Sequence, residues 1–97
     1  MIYLDKQDLL ILHSILQKYP YKFYAYGSRV KNTYKKFSDL DLCIMENISD
    51  DIFFEIQNAL EESDISIKID IKRWFVDMNA GFRSLIEKDI TPLLLKN

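Results

Sequence analysis

An α+β fold, a small mixed β-sheet with helices packed on one face, is predicted by three features of the sequence. In "ISIKIDIK", Ile65, Ile67, Ile69 and Ile71 alternate strictly with Ser66, Lys68, Asp70 and Lys72. That is the period of a strand buried on one side. Two shorter stretches, "KFYAYGS" and "SDLDLCIM", alternate in the same way. Between and around them, apolar residues recur at helical spacing. The order helix, strand, strand, helix, strand, helix makes a two-layer domain.

Taken in order, Asp5 is placed to cap a first helix running to roughly Lys18, with Leu9, Leu12, Ile15, Leu16 and Tyr19 as its apolar stripe. Pro20 stops it. The first strand ends at Gly27, with Phe23 and Ala25 on one face and Tyr24, Tyr26 and Ser28 on the other. One turn of helix is expected after Ser28. In the second strand Leu40, Leu42 and Ile44 share a face, and Asp39 and Asp41 point the opposite way. Ser49, followed by Asp50 and Asp51, opens a long helix to about Glu62, with Phe53, Ile56 and Leu60 inward. The third strand follows. A last helix, roughly Met78 to Lys88, uses Phe82, Leu85 and Ile86, and "ITPLLLKN" closes the chain. Each strand thus offers the helices an apolar face and leaves a polar face open. Asp39, Asp41 and Asp70 all fall on polar faces.

The 97 residues are expected to form one domain, 1–97, and a hydrophobic share of 48% supports a core without staples. A formal charge of −2 argues against a general nucleic-acid binder. Cys43 is the single cysteine, which excludes an intrachain disulfide and a cysteine-based zinc site. No segment approaches the ~18 consecutive apolar residues of a membrane span, and "MIYLDKQD" lacks the features of a signal peptide. A soluble, cytoplasmic protein is expected. Two glycines and two prolines leave no room for a linker, and no internal repeat is evident.

Two residues apart on a strand, Asp39 and Asp41 project side by side. Neighbouring strands lie about 4.8 Å apart, so Asp70 on an adjacent strand could join them. Three converging carboxylates repel unless a cation sits between them. Magnesium suits such oxygen ligands, and two ions can clamp the attacking and leaving oxygens of a phosphoryl displacement. A glycine at a strand's end lets the backbone approach a phosphate closely. The amides after Gly27 and the Ser28 hydroxyl can donate to it, and Arg29, Lys31, Lys35 and Lys36 would offset its charge.

Plainer readings compete. A bare Asp-x-Asp is most often a strand entry with solvated carboxylates, and a basic run is most often a solvated loop. A calcium loop fits poorly, because Cys43 stands at the next ligand position and no glycine lies five residues after Asp39. His13, alone in mid-helix, suits a surface or satisfied core site better than catalysis. Cys43 suits inert packing. Trp74 and Phe75 either pack beneath the last helix or present an aromatic surface. Tyr24 and Tyr26 either line a base or acceptor pocket or cover an open sheet.

The combination is more specific than its parts. Gly27-Ser28 closing one strand, a basic loop, Ser38-Asp39-Leu40-Asp41 opening the next and Asp70 in a later one resemble the DNA polymerase β-type nucleotidyltransferase superfamily. The pattern looks most like its minimal nucleotidyltransferases, short bacterial proteins encoded beside a helical HEPN partner. The resemblance implies that Gly27 and Ser28, with Arg29 and Lys31 near them, bind a nucleotide triphosphate. It implies that Asp39 and Asp41 bind magnesium and that Asp70 completes the metal site. The family's loop commonly runs Gly-Ser-x-x-x-Gly, and Asn32 stands here at the second glycine. Asparagine tolerates positive φ better than most residues.

The implied activity is magnesium-dependent transfer of AMP from ATP to a hydroxyl, with Asp70 as or beside the general base. So short a chain has little left to hold an acceptor, and orientation matters greatly to the barrier. The resemblance assigns that task to a HEPN-type protein, whose tyrosine would take the AMP, with this chain as its antitoxin. A contact-only module that keeps a nucleotide site is the alternative. Transfer to a small molecule such as an aminoglycoside is the weaker rival.

Overall fold

The computed structural model describes residues 2–93. Helix α1 spans Lys6–Leu16, strand β1 Phe23–Tyr26, the short helix α2 Ser28–Lys31, and β2 Leu40–Ile44. Helix α3 spans Asp50–Glu61, β3 Ile69–Arg73 and α4 Ala80–Ile86; a 3-10 turn, Glu87–Asp89, leads to β4, Thr91–Pro92. The strands lie in the order β3-β2-β1-β4. β1 runs antiparallel to β2 and β4, whereas β2 and β3 are parallel, so the sheet is mixed as expected. The crossover between the parallel strands is α3.

One face of the sheet is covered by α1 and α3. Leu12 and Leu16 from α1 and Phe53, Ile56 and Leu60 from α3 pack on Phe23, Ala25, Leu40, Leu42, Ile44, Ile69 and Ile71. Burying a side chain of this kind stabilises by about 1.5–3 kcal/mol, so this layer dominates the folding energy. The Ser49 hydroxyl caps α3 by accepting from the Ile52 amide at 3.3 Å. Asp5 stands at the N-cap of α1 but makes no side-chain cap bond.

Several details differ from the expectations. The opposite face is not wholly open: Met78 and Ile86 pack there with Tyr26 and Cys43, and Trp74 and Phe82 join them. Leu9 and Leu85, placed on the buried stripes, are 37% and 68% exposed. The third strand is shorter than its alternation suggests. Pairing with β2 begins where the Leu40 amide meets the Lys68 carbonyl, at 3.0 Å. Before that point the Ser66 amide donates to Asp8 at 2.9 Å, and the Ser66 hydroxyl also donates to Asp8. A buried helix carboxylate therefore takes the backbone group that a strand partner would have used. Strand β4 carries Pro92 at the sheet edge, where a missing amide removes no ladder bond. Residues 94–97 of "ITPLLLKN" lie outside the described residues.

Candidate active site

The register brings the chemistry together. Tyr26 pairs with Asp41 across β1 and β2, and Asp41 pairs with Asp70 across β2 and β3. One row on the sheet therefore reads Tyr26, Asp41, Asp70, because register partners share a face. The next row is Tyr24, Cys43, Lys72. Asp39 precedes β2 and is exposed.

Crowding shows in the electrostatics. Burial and then the neighbouring Asp70 raise the Asp41 carboxyl to about 6, with Asp39 adding to the rise and Lys72 and Lys68 opposing it. Burial, and then Asp41, Asp70 and Cys43, also push the Tyr26 hydroxyl upward. That hydroxyl is buried without a hydrogen-bond partner, and its ring meets Phe82 edge-on with centroids 6.0 Å apart. Burial lifts the Cys43 thiol to about 12, which suits the inert role.

Gly27 is required by its neighbour. Its φ is +86°, and a Cβ there would stand 2.7 Å from Asp41 Oδ2. Only glycine lets the end of β1 pass so close to that carboxylate. The chain then turns through α2, where the Val30 amide donates to the Gly27 carbonyl at 3.1 Å. Asn32 ends α2 in the left-handed region, with φ 60° and ψ 33°. It adopts the conformation that a glycine would supply, as its chemistry suggested.

The cations divide. Arg29, expected near the nucleotide, is only 4% exposed, and its guanidinium faces inward. It donates to the carbonyls of Ser38 at 2.8 Å, Tyr3 at 2.9 Å, Lys36 at 3.0 Å and Lys35 at 3.4 Å, and lies over the Tyr34 ring. Arg29 therefore ties together the loop that leads into β2. Four backbone carbonyls thus take most of its donors, a structural role that the sequence did not suggest. Lys31 is exposed and meets Asp89 at 3.4 Å, a weak surface pair that leaves it accessible. Trp74, partly buried, packs against the cluster of Tyr26, Cys43, Met78 and Ile86, and Phe75 is 71% exposed.

Oxygen donors from Asp41 and Asp70 are of the type a hard divalent cation takes, and their mutual repulsion is what such a cation relieves. The full convergence expected of three carboxylates is not formed. Among the described residues no group of three or more His, Cys, Asp or Glu is gathered tightly enough to hold a metal. At Asp70, Oδ2 accepts from the Lys72 ammonium. Lys72 was not singled out in the sequence, although its place two residues after Asp70 put it on the same face. A cavity of about 600 Å³, lined by Tyr3, Asp8, Arg29, Tyr34 and Phe37 among others, includes none of the three aspartates. Among the described residues no helix is long and apolar enough to cross a membrane.

Comparison with known proteins identifies the family. The family described as "Polymerase beta, Nucleotidyltransferase" matches residues 10–97. A relative from Haemophilus influenzae, described as "Probable protein adenylyltransferase MntA", is 35% identical over 89 residues, covering 88% of this chain and 77% of the relative. The chain belongs to the polymerase β nucleotidyltransferase family, as one of its minimal members.

Proposed function

We propose that this enzyme transfers AMP from ATP to a hydroxyl on a protein, a tyrosine of a HEPN-type helical partner in the cytoplasm, and so acts as that partner's antitoxin. The observation that carries the reading is the row of Asp41 and Asp70 set against Gly27. The relative's description as a protein adenylyltransferase supports the choice of group and acceptor class. In this reading Gly27 and Ser28 receive the triphosphate, Lys31 offsets its charge, and Asp39, Asp41 and Asp70 would hold magnesium only together with the phosphates, with two ions favoured. Bound there, magnesium would neutralise the carboxylates and the phosphates together and polarise the reacting phosphoryl group. Asp70 takes the proton of the acceptor hydroxyl. The acceptor oxygen then bonds to the α-phosphorus, the bond to the bridging oxygen breaks, and pyrophosphate leaves.

Incubating the protein with the HEPN-type chain, ATP and magnesium should add one or more adenylyl groups to that chain, read by intact-mass spectrometry. Asp41→Asn should bind the partner and leave its mass unchanged. Asp70→Asn should lower the chemical step more than ATP binding. Neutralisation of the partner by wild type with no mass change would replace this reading with the contact-only module. Failure of the two proteins to associate would remove the antitoxin role.

A further inference from the structure

Strand periodicity places Lys72 beside Asp70 on the acid face, and the ammonium donates to Asp70 Oδ2. Neither side chain is sealed: Lys72 is 35% and Asp70 31% exposed. The Lys72 charge also opposes the rise at Asp41, so one ammonium serves both carboxylates of the row. A lysine is a compact point charge on a flexible stem, and it can leave one anion for another without moving the backbone.

A carboxylate oxygen engaged by an ammonium is not free for a metal. A divalent ion arriving at Asp70 must displace the lysine, and the lysine then faces water unless another anion is near. A triphosphate at Gly27 would be that anion. We infer that Lys72 is a placeholder cation on Asp70, which a divalent metal must displace and which the nucleotide's phosphates draw away. This rests on reading the acid row as a metal and nucleotide site. It makes metal binding weak without nucleotide and couples the two ligands, a linkage that works in both directions.

The test is Mn²⁺ binding to nucleotide-free protein, followed by the paramagnetic resonance signal of free Mn²⁺. Lys72→Met keeps the stem and removes the charge; it should bind Mn²⁺ about fivefold or more tightly than wild type, the lower end of typical coupling. The same variant should melt at a lower temperature without metal, because Asp41 and Asp70 lose their counter-cation. Lys72→Arg, which keeps a cation, should hold Mn²⁺ affinity near the wild-type value. Equal or weaker Mn²⁺ binding by Lys72→Met, with wild-type binding lost in Asp41→Asn, would overturn the placeholder and leave the metal site standing. If neither wild type nor Lys72→Met binds Mn²⁺ at millimolar concentration, the placeholder and the metal reading fall together.

Discussion

On the helical face of the sheet, Ala25, Leu42 and Ile71 stand side by side, all buried and apolar. One residue away along each strand, on the other face, stand Tyr26, Asp41 and Asp70. The first row lowers the free energy of folding through burial. The second raises it, through a carboxyl pushed to about 6 and a buried hydroxyl without a partner. The same three strands carry both, so the apolar row holds the acid row in place against its own repulsion. Strain of this kind is what a ligand can relieve.

The comparison can be broken most forcefully from the apolar side. Leu42→Ala should destabilise by about 3 kcal/mol, as large-to-small changes in closed cores do. Urea unfolding should show this as a lower midpoint; a change under about 1 kcal/mol would mean the helical face is not the source of stability.

Next come the cations of the loop. Arg29→Ala strands several carbonyls that now share one buried guanidinium, and should destabilise by about 2–3 kcal/mol. Lys31→Ala should stay within about 0.5 kcal/mol, as exposed pairs usually do. It should weaken ATP binding instead. If Arg29→Ala left thermal stability intact while abolishing ATP binding, the structural role given to Arg29 would be wrong.

Gly27→Ala combines an unfavourable φ with a contact on Asp41 Oδ2, and should destabilise by roughly 1–2 kcal/mol. Tyr26 should respond in the opposite direction. Tyr26→Phe keeps the ring on Phe82 and removes the unpartnered hydroxyl, so its melting temperature should match or exceed wild type, by up to about 1 kcal/mol of stability. A clear loss would show that the hydroxyl has a partner in solution.

Much of this was legible in the sequence because alternation is a local signal. It placed Asp41 and Asp70 on the polar face and Phe23, Leu42 and Ile71 on the core face. The left-handed turn at Asn32 was legible for a similar reason, since asparagine has its own preference for that conformation. What was illegible depends on partners far along the chain. Nothing near Ser66 says that Asp8, on α1, will take its amide and end a perfectly alternating strand. Nothing near Arg29 says that Tyr3 and Ser38 will surround its guanidinium. Leu85 and Leu9 follow helical spacing, but α4 and α1 cover less of the sheet than that spacing assumes.

The central claim is that the acid row is unfavourable alone and is completed by nucleotide and metal. The Asp41 carboxyl moves from 3.8 to about 6, so the folded form holds the proton more tightly than the unfolded chain. Its contribution is therefore present below about pH 4 and lost as pH rises through about 6. Discounted for partial exposure, the penalty at neutral pH is on the order of 1–2 kcal/mol, or several degrees in melting temperature. The decisive measurement is the melting temperature of wild type and Asp41→Asn at pH 7, with and without ATP and magnesium. We predict a crossing: the variant melts higher without ligand, and wild type melts higher once ATP and magnesium are added. A variant that melts lower without ligand, or that gains the same shift as wild type, would contradict the account.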